Sequence, residues 1–248
     1  MKNILLLVLA ITASFISANA QHTMHGKIEY ERRTNIHRTI DQMDDEQKQW
    51  IEKMRSQIPK HSVSYFDMAF TTQHSIYMPG RESDQVTNYW FARSPAAENV
   101  VYTDFTTGRV TAEKQIYEER FLVKDTMRKI KWKIQDEVRT IADYKCRRAV
   151  GLMYDSVYVV AFYTEDIPAS GGPEMFSGLP GMILEVAVPR LHTTWLALKV
   201  DFNKPDEKTF AIPKKGKEVT QKEMHATLST SLKRWGSFAD RAVWWSLL

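Results

Sequence analysis

Apolar and polar residues alternate along much of this chain, which is the pattern of β-strands that bury one face. In residues 25–33, Ile28 and Tyr30 fall on one face and charged side chains on the other. The pattern predicts further strands at 61–70, 75–78, 88–93, 99–105, 109–118, 121–123, 129–134, 144–152, 182–188 and 193–202. Residues 157–163 are almost continuously apolar, which predicts a central strand covered on both faces.

Two segments show the helical period instead. Residues 41–58 predict a helix that ends at Pro59, with Met43, Trp50 and Met54 on its buried face. Residues 220–235 predict a second helix. Thr220 with Glu223 three residues later has the form of a capping box. We expect the apolar tail at 242–248 to dock on its own domain.

These elements predict a mainly β (α+β) fold. Many short strands separated by turn residues favour a curved antiparallel sheet or a partly open barrel, with an N-terminal and a C-terminal helix packed on it. No linker-like segment interrupts the pattern, so we expect a single β-rich domain over residues 21–248.

The first 20 residues have the form of a cleavable secretory signal. Lys2 precedes an apolar run, and the small residues Ala18 and Ala20 predict cleavage before Gln21. No cysteine follows the run, and no later stretch reaches the length of a membrane-spanning helix. We therefore expect a soluble periplasmic protein, either free or associated with the outer membrane.

Charge and cysteine content narrow the picture further. The formal net charge is +4, but basic and acidic residues are interleaved, so the sequence does not predict nucleic-acid binding. Cys146 is the only cysteine, and three roles stay open for it: a buried small side chain, an intermolecular bridge or a reactive thiol. His22 and His25, near the expected mature N-terminus, are weak candidates for a metal site.

A loop rich in proline and glycine occupies residues 167–181. Leu179-Pro180-Gly181-Met182 predicts a type II turn, because proline fixes φ at the second position and glycine accepts positive φ at the third. The loop has two interpretations: a structural bend between core strands, or a rigid surface that presents Met175, Phe176, Leu179 and Met182 to a ligand or partner. As ligand or partner contacts we single out Pro168, Gly172, Pro173, Phe176, Gly178, Leu179, Pro180, Gly181 and Met182.

The segment Phe176-Ser177-Gly178-Leu179-Pro180-Gly181-Met182-Ile183-Leu184 resembles the signature of the GLPGLI family (Porph_ging-type) of exported Bacteroidetes proteins. Met182 is the one departure from the motif. The resemblance extends over roughly residues 129–188 and includes Trp132, the segment 141–149 and the segment 161–168. It implies a companion of a TonB-dependent outer-membrane transporter, and it implies no reaction or ligand.

The sequence contains no nucleophile elbow, no H-E-x-x-H motif and no glycine-rich phosphate loop, so we predict no catalytic residue, no metal and no cofactor. Three functional hypotheses follow. The first is a non-enzymatic periplasmic accessory protein that acts with a TonB-dependent transporter. The second is a carrier of an apolar ligand, such as a lipid or lipopeptide, in a half-barrel cavity. The third, which we favour least, is an enzyme or metal protein that uses Cys146 or the histidines.

Overall fold

A computed structural model describes residues 24–84, 96–154, 156–233 and 237–248. The expected signal segment, His22 and the predicted strand at 88–93 lie outside these residues. The described part contains twelve strands. They are β1 (His25–Asn35), β2 (His61–Thr71), β3 (His74–Pro79), β4 (Val100–Asp104), β5 (Arg109–Ile116), β6 (Glu119–Thr126), β7 (Lys133–Ile141), β8 (Tyr144–Met153), β9 (Val157–Thr164), β10 (Met182–Val188), β11 (Thr193–Asp201) and β12 (Lys217–Val219).

All twelve strands form one sheet in the order β12-β6-β5-β4-β3-β2-β1-β11-β10-β9-β8-β7. Neighbouring strands run antiparallel, except β12, which pairs in parallel with β6. The sheet is curved, and it is open because its two edge strands, β12 and β7, lie at opposite ends of this order. The predicted mainly β fold with a curved antiparallel sheet is confirmed.

The described residues also form four α-helices: α1 (Ile36–Asp41), α2 (Asp45–Glu52), α3 (Gln221–Ser231) and α4 (Ser237–Ser246). Short 3₁₀ helices lie at Arg55–Gln57, Pro189–Leu191 and Glu207–Phe210. Among the described residues, no helix has the length and apolar character needed to cross a membrane.

The predicted helix over residues 41–58 is wrong as a single element, because the segment holds only the last residue of α1, the separate helix α2 and the 3₁₀ helix at Arg55–Gln57. The Asn35 side chain accepts a hydrogen bond from the Arg38 backbone N–H, which starts α1 before the predicted helix. The chain then becomes extended at Asp44, and α2 starts after it. Trp50 is 59% exposed, so it does not belong to the buried face predicted for it.

The C-terminal predictions agree with the structure. Thr220 and Glu223 form the reciprocal bonds of a capping box at the start of α3. In the tail, Trp245, Leu247 and Leu248 are buried against the rest of the chain. We call the sheet face that α3 and α4 cover the inner face, and the opposite one the outer face.

The inner face carries the main core. Large aromatic side chains fill it, and Tyr30, Phe66, Tyr77, Trp195 and Trp245 are all at most 1% exposed. The outer face is less covered. The prediction that β9 is covered on both faces holds for its second half, where Phe162 and Tyr163 are at most 2% exposed, and is wrong at Tyr158, which is 44% exposed.

Candidate functional site

The loop between β9 and β10 folds back over the inner face of the sheet. Gly171 lies against the side chains of Phe105 and Met68, and the Phe176 ring meets Trp195 edge-on at 6.0 Å between centroids. The Ser170 hydroxyl ties the loop together, because it donates to the Leu179 carbonyl at 2.7 Å and accepts from the Gly178 N–H at 3.2 Å. The loop is therefore part of the core layer.

This placement buries most of the loop residues singled out from the sequence. Met175, Phe176, Leu179 and Met182 are at most 2% exposed. Gly172, Pro173 and Gly181 are also buried, and Pro168, Gly178 and Pro180 are exposed. The role of the loop as a contact for a ligand or partner stays a prediction. In this geometry it concerns the exposed positions.

The signature turn differs in type from the one predicted. The Gly181 N–H donates to the Leu179 carbonyl at 2.8 Å, which makes a three-residue γ-turn centred on Pro180 instead of a type II turn. The next N–H, of Met182, donates to Ile167 across the base of the loop. Gly181 has φ 149°, and a Cβ on it would lie 2.0 Å from the Thr164 carbonyl oxygen. Only glycine fits here without a shift of the backbone.

Cys146 lies on β8 with no exposed surface. Burial raises the pKa of its thiol to about 12, and its charged neighbours are Arg139, Glu185 and Asp166. The thiol is therefore protonated at neutral pH and shielded from reagents. His25 starts β1, and no group of three or more histidine, cysteine, aspartate or glutamate side chains among the described residues could hold a metal ion.

A buried charged cluster lies beneath the loop. Glu174, from the loop, is 2% exposed and has φ 53°, a strained value for a residue other than glycine. Its carboxylate accepts a hydrogen bond from the Asn99 amide at 2.8 Å and one from the Tyr77 hydroxyl at 3.5 Å. The Arg32 guanidinium, on β1, lies 3.9 Å from the same carboxylate.

Arg32 is held by further contacts from the sheet. Its Nη1 donates to the Ala96 carbonyl at 3.0 Å. Its guanidinium stands 4.6 Å from the centroid of the Phe66 ring and 5.3 Å from that of Trp245. The aromatic faces partly compensate the loss of water around the cation.

Two more cations reach the same region from β5 and from the segment before β7. Lys114 is 1% exposed, and its ammonium donates to the Ser246 carbonyl at 2.9 Å. Arg128 donates to the Leu247 carbonyl, and Gln221 donates to that oxygen at 2.9 Å. The last carbonyl groups of a helix have no partner inside the helix. Here these side chains donate hydrogen bonds to them.

Burial dominates the titration of the cluster. It lowers the pKa of Lys114 to about 7, where the nearby Glu174 opposes the shift and Arg128 adds to it. It also lowers the pKa of Arg32 and raises the pKa of Glu174, against the opposing effects of Arg32 and Asn99 on that carboxyl. The buried charged groups of the cluster thus connect the loop, the sheet and α4.

This cluster was not predicted, although the sequence contains a signal for part of it. Arg32 falls on the same strand face as Ile28 and Tyr30, and Lys114 falls on the same face as Val110 and Ala112. A charged residue at an inward position of an alternating strand predicts a buried polar contact. For Glu174, in a loop without periodicity, no comparable signal exists.

The outer face carries exposed apolar side chains on β8 and β9, with half-buried ones beside them on β8, β9 and β10. Val150 pairs with Val160, Leu152 pairs with Tyr158, and Ala187 pairs with Val160 on its other side. Leu152 is 53% exposed and Tyr158 is 44% exposed. We call Val150, Leu152, Tyr158, Val160 and Ala187 the outer apolar patch.

Residues 151–185, which include the signature loop, match the model of a family described as a protein of unknown function, Porph_ging. Over this segment the chain is similar to that family. The match agrees with the family that the motifs resemble, and it covers only part of the chain. No curated protein matches the sequence.

The fold of this protein is similar to that of solved structures at low sequence identity. PNGF-II, in P21 and C2 space groups, aligns with a TM-score of 0.52 at 13% and 14% identity. The alignments cover 86% of this chain but only 34% and 33% of PNGF-II, so the chain spans about a third of its length. An uncharacterized conserved protein from Thermus thermophilus aligns over 84% of this chain and 99% of its own, with a TM-score of 0.39 and 6% identity. At these identities the likeness concerns the fold alone.

Proposed function

We propose that this protein is a non-enzymatic binding or accessory protein of the bacterial periplasm, which acts with a TonB-dependent transporter at the outer membrane. Two observations from the sequence support the location and the partner. The first 20 residues have the form of a secretory signal. The signature loop resembles that of the GLPGLI family, and this resemblance implies a TonB-dependent transporter as the partner.

The observation that carries a binding role is the outer apolar patch. Isolated apolar side chains are common on protein surfaces, but neighbouring ones on adjacent strands form a contact area. Leu152 and Tyr158 stand directly opposite each other and are about half exposed. Tyrosine is enriched where proteins meet, because its ring is apolar and its hydroxyl tolerates water.

The reactive groups of the chain lie in places that suit structure better than catalysis. The thiol of Cys146 is buried, and its pKa is raised to about 12 by that burial. The carboxylate of Glu174 is enclosed by Asn99, Tyr77 and Arg32. An acid or nucleophile must reach its substrate, and these groups face protein partners instead.

The proposal is tested by cross-linking tagged protein in the native envelope and identifying its partners by mass spectrometry. We expect the unmodified protein to recover an outer-membrane transporter. Leu152→Glu should reduce that recovery severalfold, because a carboxylate in the patch would have to lose its water on docking.

Ile212→Glu is the matched control. Ile212 is 48% exposed and lies away from the patch, so this variant should recover the partner like the unmodified protein. Recovery of no outer-membrane protein would contradict the proposed partner. Equal recovery by both variants would remove the patch as the docking surface.

The alternative, a carrier of an apolar ligand in the half-barrel, needs space on the inner face. There the side chains of Phe176, Met182 and Trp245 are buried in the core. An apolar ligand would therefore have to displace the loop or α4. Lipid extraction of the purified protein followed by mass spectrometry tests this role, and a stoichiometric lipid would favour it over the docking role.

A further inference from the structure

Several buried N–H donors around the last turn of α4 have no hydrogen-bond acceptor. Trp195 and Trp245 are fully buried, and neither indole N–H has an acceptor. The Nε of Arg128 is buried and also lacks one. The Trp195 indole lies beside the Tyr77 hydroxyl without reaching hydrogen-bond geometry. Buried polar groups normally have partners, so these donors need an explanation.

The donors belong to one region. The Trp195 and Trp245 rings are 5.9 Å apart between centroids, and the Arg32 guanidinium is 5.3 Å from the Trp245 ring. Lys114 and Arg128 bind the carbonyls of the two residues that follow Trp245. The end of α4 is therefore surrounded by N–H groups.

Charge is unbalanced in the same direction. Lys114 has no carboxylate within 4 Å among the described residues, and its three N–H bonds have one acceptor, the Ser246 carbonyl. Arg32 lies 3.9 Å from Glu174, which is longer than a direct charged hydrogen bond. Among the described residues, Glu174 is the carboxylate close to Lys114 and Arg32, and Asp125 is the one close to Arg128, so three cations share two carboxylates here.

A buried water molecule would satisfy this arrangement poorly. Water brings two donors as well as two acceptors, and in this region the unpartnered groups are all donors. A small oxyanion brings acceptors only, together with the negative charge that the cations lack.

We propose that the buried donors between the inner face of the sheet and the last turn of α4 form a binding site for a small oxyanion, a carboxylate or a phosphate. Lys114 and Arg32 supply the charge, and the indole N–H groups of Trp195 and Trp245 supply neutral donors. The site is independent of the outer apolar patch, so either proposal can fail alone.

The test uses protein dialysed into chloride buffer, with thermal unfolding and isothermal titration calorimetry in the presence of sodium phosphate, sodium acetate or sodium chloride at equal ionic strength. We expect phosphate or acetate to raise the melting temperature beyond chloride, and the more effective salt identifies the class of ligand. Trp245→Phe should weaken binding about tenfold, because it removes one donor and keeps the ring. Lys114→Met should weaken it by about tenfold to a hundredfold.

Lys124→Met and Trp50→Phe are the matched controls. Lys124 lies on β6, next to the strand of Lys114, and is exposed, with Glu218 as its ion-pair partner. Trp50 is exposed on α2. Both should keep the response of the unmodified protein. Equal stabilisation by all three salts would overturn the proposal. So would an unchanged anion response in Trp245→Phe, which keeps an aromatic ring in the core.

Discussion

Arg32, Lys114 and Glu174 have their charged groups inside the core. A charge moved from water into a protein interior costs several kcal/mol unless partners replace the lost water. The partners here are a mixture of one carboxylate, backbone carbonyls and aromatic rings. These three residues therefore join the loop, the sheet and α4 at a considerable cost in stability.

Lys114 makes this cost measurable through pH. Its pKa is lowered from 10.5 to about 7 on folding, so the folded state binds fewer protons than the unfolded state between these values. Stability should therefore decline as the pH falls from about 10 to about 7 and then level off for this group. Lys114→Met should lack that decline and should be more stable at pH 7 by roughly 1–4 kcal/mol.

Urea unfolding of both proteins across this pH range, in chloride buffers without phosphate or carboxylate, gives the comparison. The stability difference between the variant and the unmodified protein should widen as the pH is lowered. A difference that stays constant with pH would mean that Lys114 titrates alike in the folded and unfolded chains.

The signature glycines offer a second residue-scale prediction. Gly178 and Gly181 both have positive φ, but a Cβ at Gly178 would meet only Trp132 at 3.6 Å, whereas one at Gly181 would overlap Thr164. Gly178→Ala should cost about 1–2 kcal/mol from backbone strain. Gly181→Ala should cost about 3 kcal/mol or more, because the strain and the overlap add.

Chemical unfolding of the two alanine variants separates these effects. The pair is matched in residue type, loop and sign of φ, so the comparison isolates the contact with the Thr164 backbone. Similar losses in both variants would show that the loop relaxes freely around Gly181.

Residue placement could be predicted from the sequence where periodicity applies. The inward positions of Ile28 and Tyr30 follow from alternation. For Cys146, alternation left burial open, and the structure buries it. Alternation also places Arg32 and Lys114 at inward positions, where a charged side chain is unusual. The γ-turn at Pro180 could not be predicted, because the competing bond from Met182 goes to Ile167, which is distant along the chain.

At the scale of elements, α3 has a local signal that the structure uses. Thr220 accepts from the Glu223 N–H at 3.2 Å, and the Glu223 carboxylate accepts from the Thr220 N–H at 2.7 Å. These bonds lower the pKa of Glu223. The cap fixes where α3 begins, directly after β12.

Thr220→Ala should therefore destabilise the protein by about 1 kcal/mol, the usual effect of losing an N-cap side chain. Thr227→Ala is the control, since Thr227 lies on the same helix and bonds back to the Glu223 carbonyl without capping anything. Urea unfolding should show the larger loss for Thr220→Ala. The reverse order would mean that the cap contributes little in this context.

Element boundaries were less predictable than element types. The apolar spacing of residues 41–58 predicted one helix, but α1 starts earlier, at the Asn35 cap, and the chain is extended at Asp44 before α2 begins. The strand β12 has three residues, too few for any periodic signal, and it exists because β6 offers an edge to pair with. Local sequence therefore indicates helices and strands here, and contacts set their ends.

At the scale of the whole molecule, the strand order could not be derived from local patterns. The described chain begins in the middle of the sheet, because β1 lies between β2 and β11. One of these neighbours follows soon along the chain, and the other comes near its end. Periodicity predicts that strands exist and which face they bury, but the pairing depends on which distant apolar faces fit together.

The central position of β1 has a consequence for how the chain reaches its folded state. During synthesis β1 is made before the other strands. The Tyr30 hydroxyl on β1 donates to the Ile183 carbonyl, which is made 153 positions later. Until β10 and β11 arrive, β1 has one open edge, which invites pairing with other chains. The half-made chain is thus more prone to aggregation than the finished one. Substitutions in β11 should lower the yield of folded protein more than they lower its melting temperature.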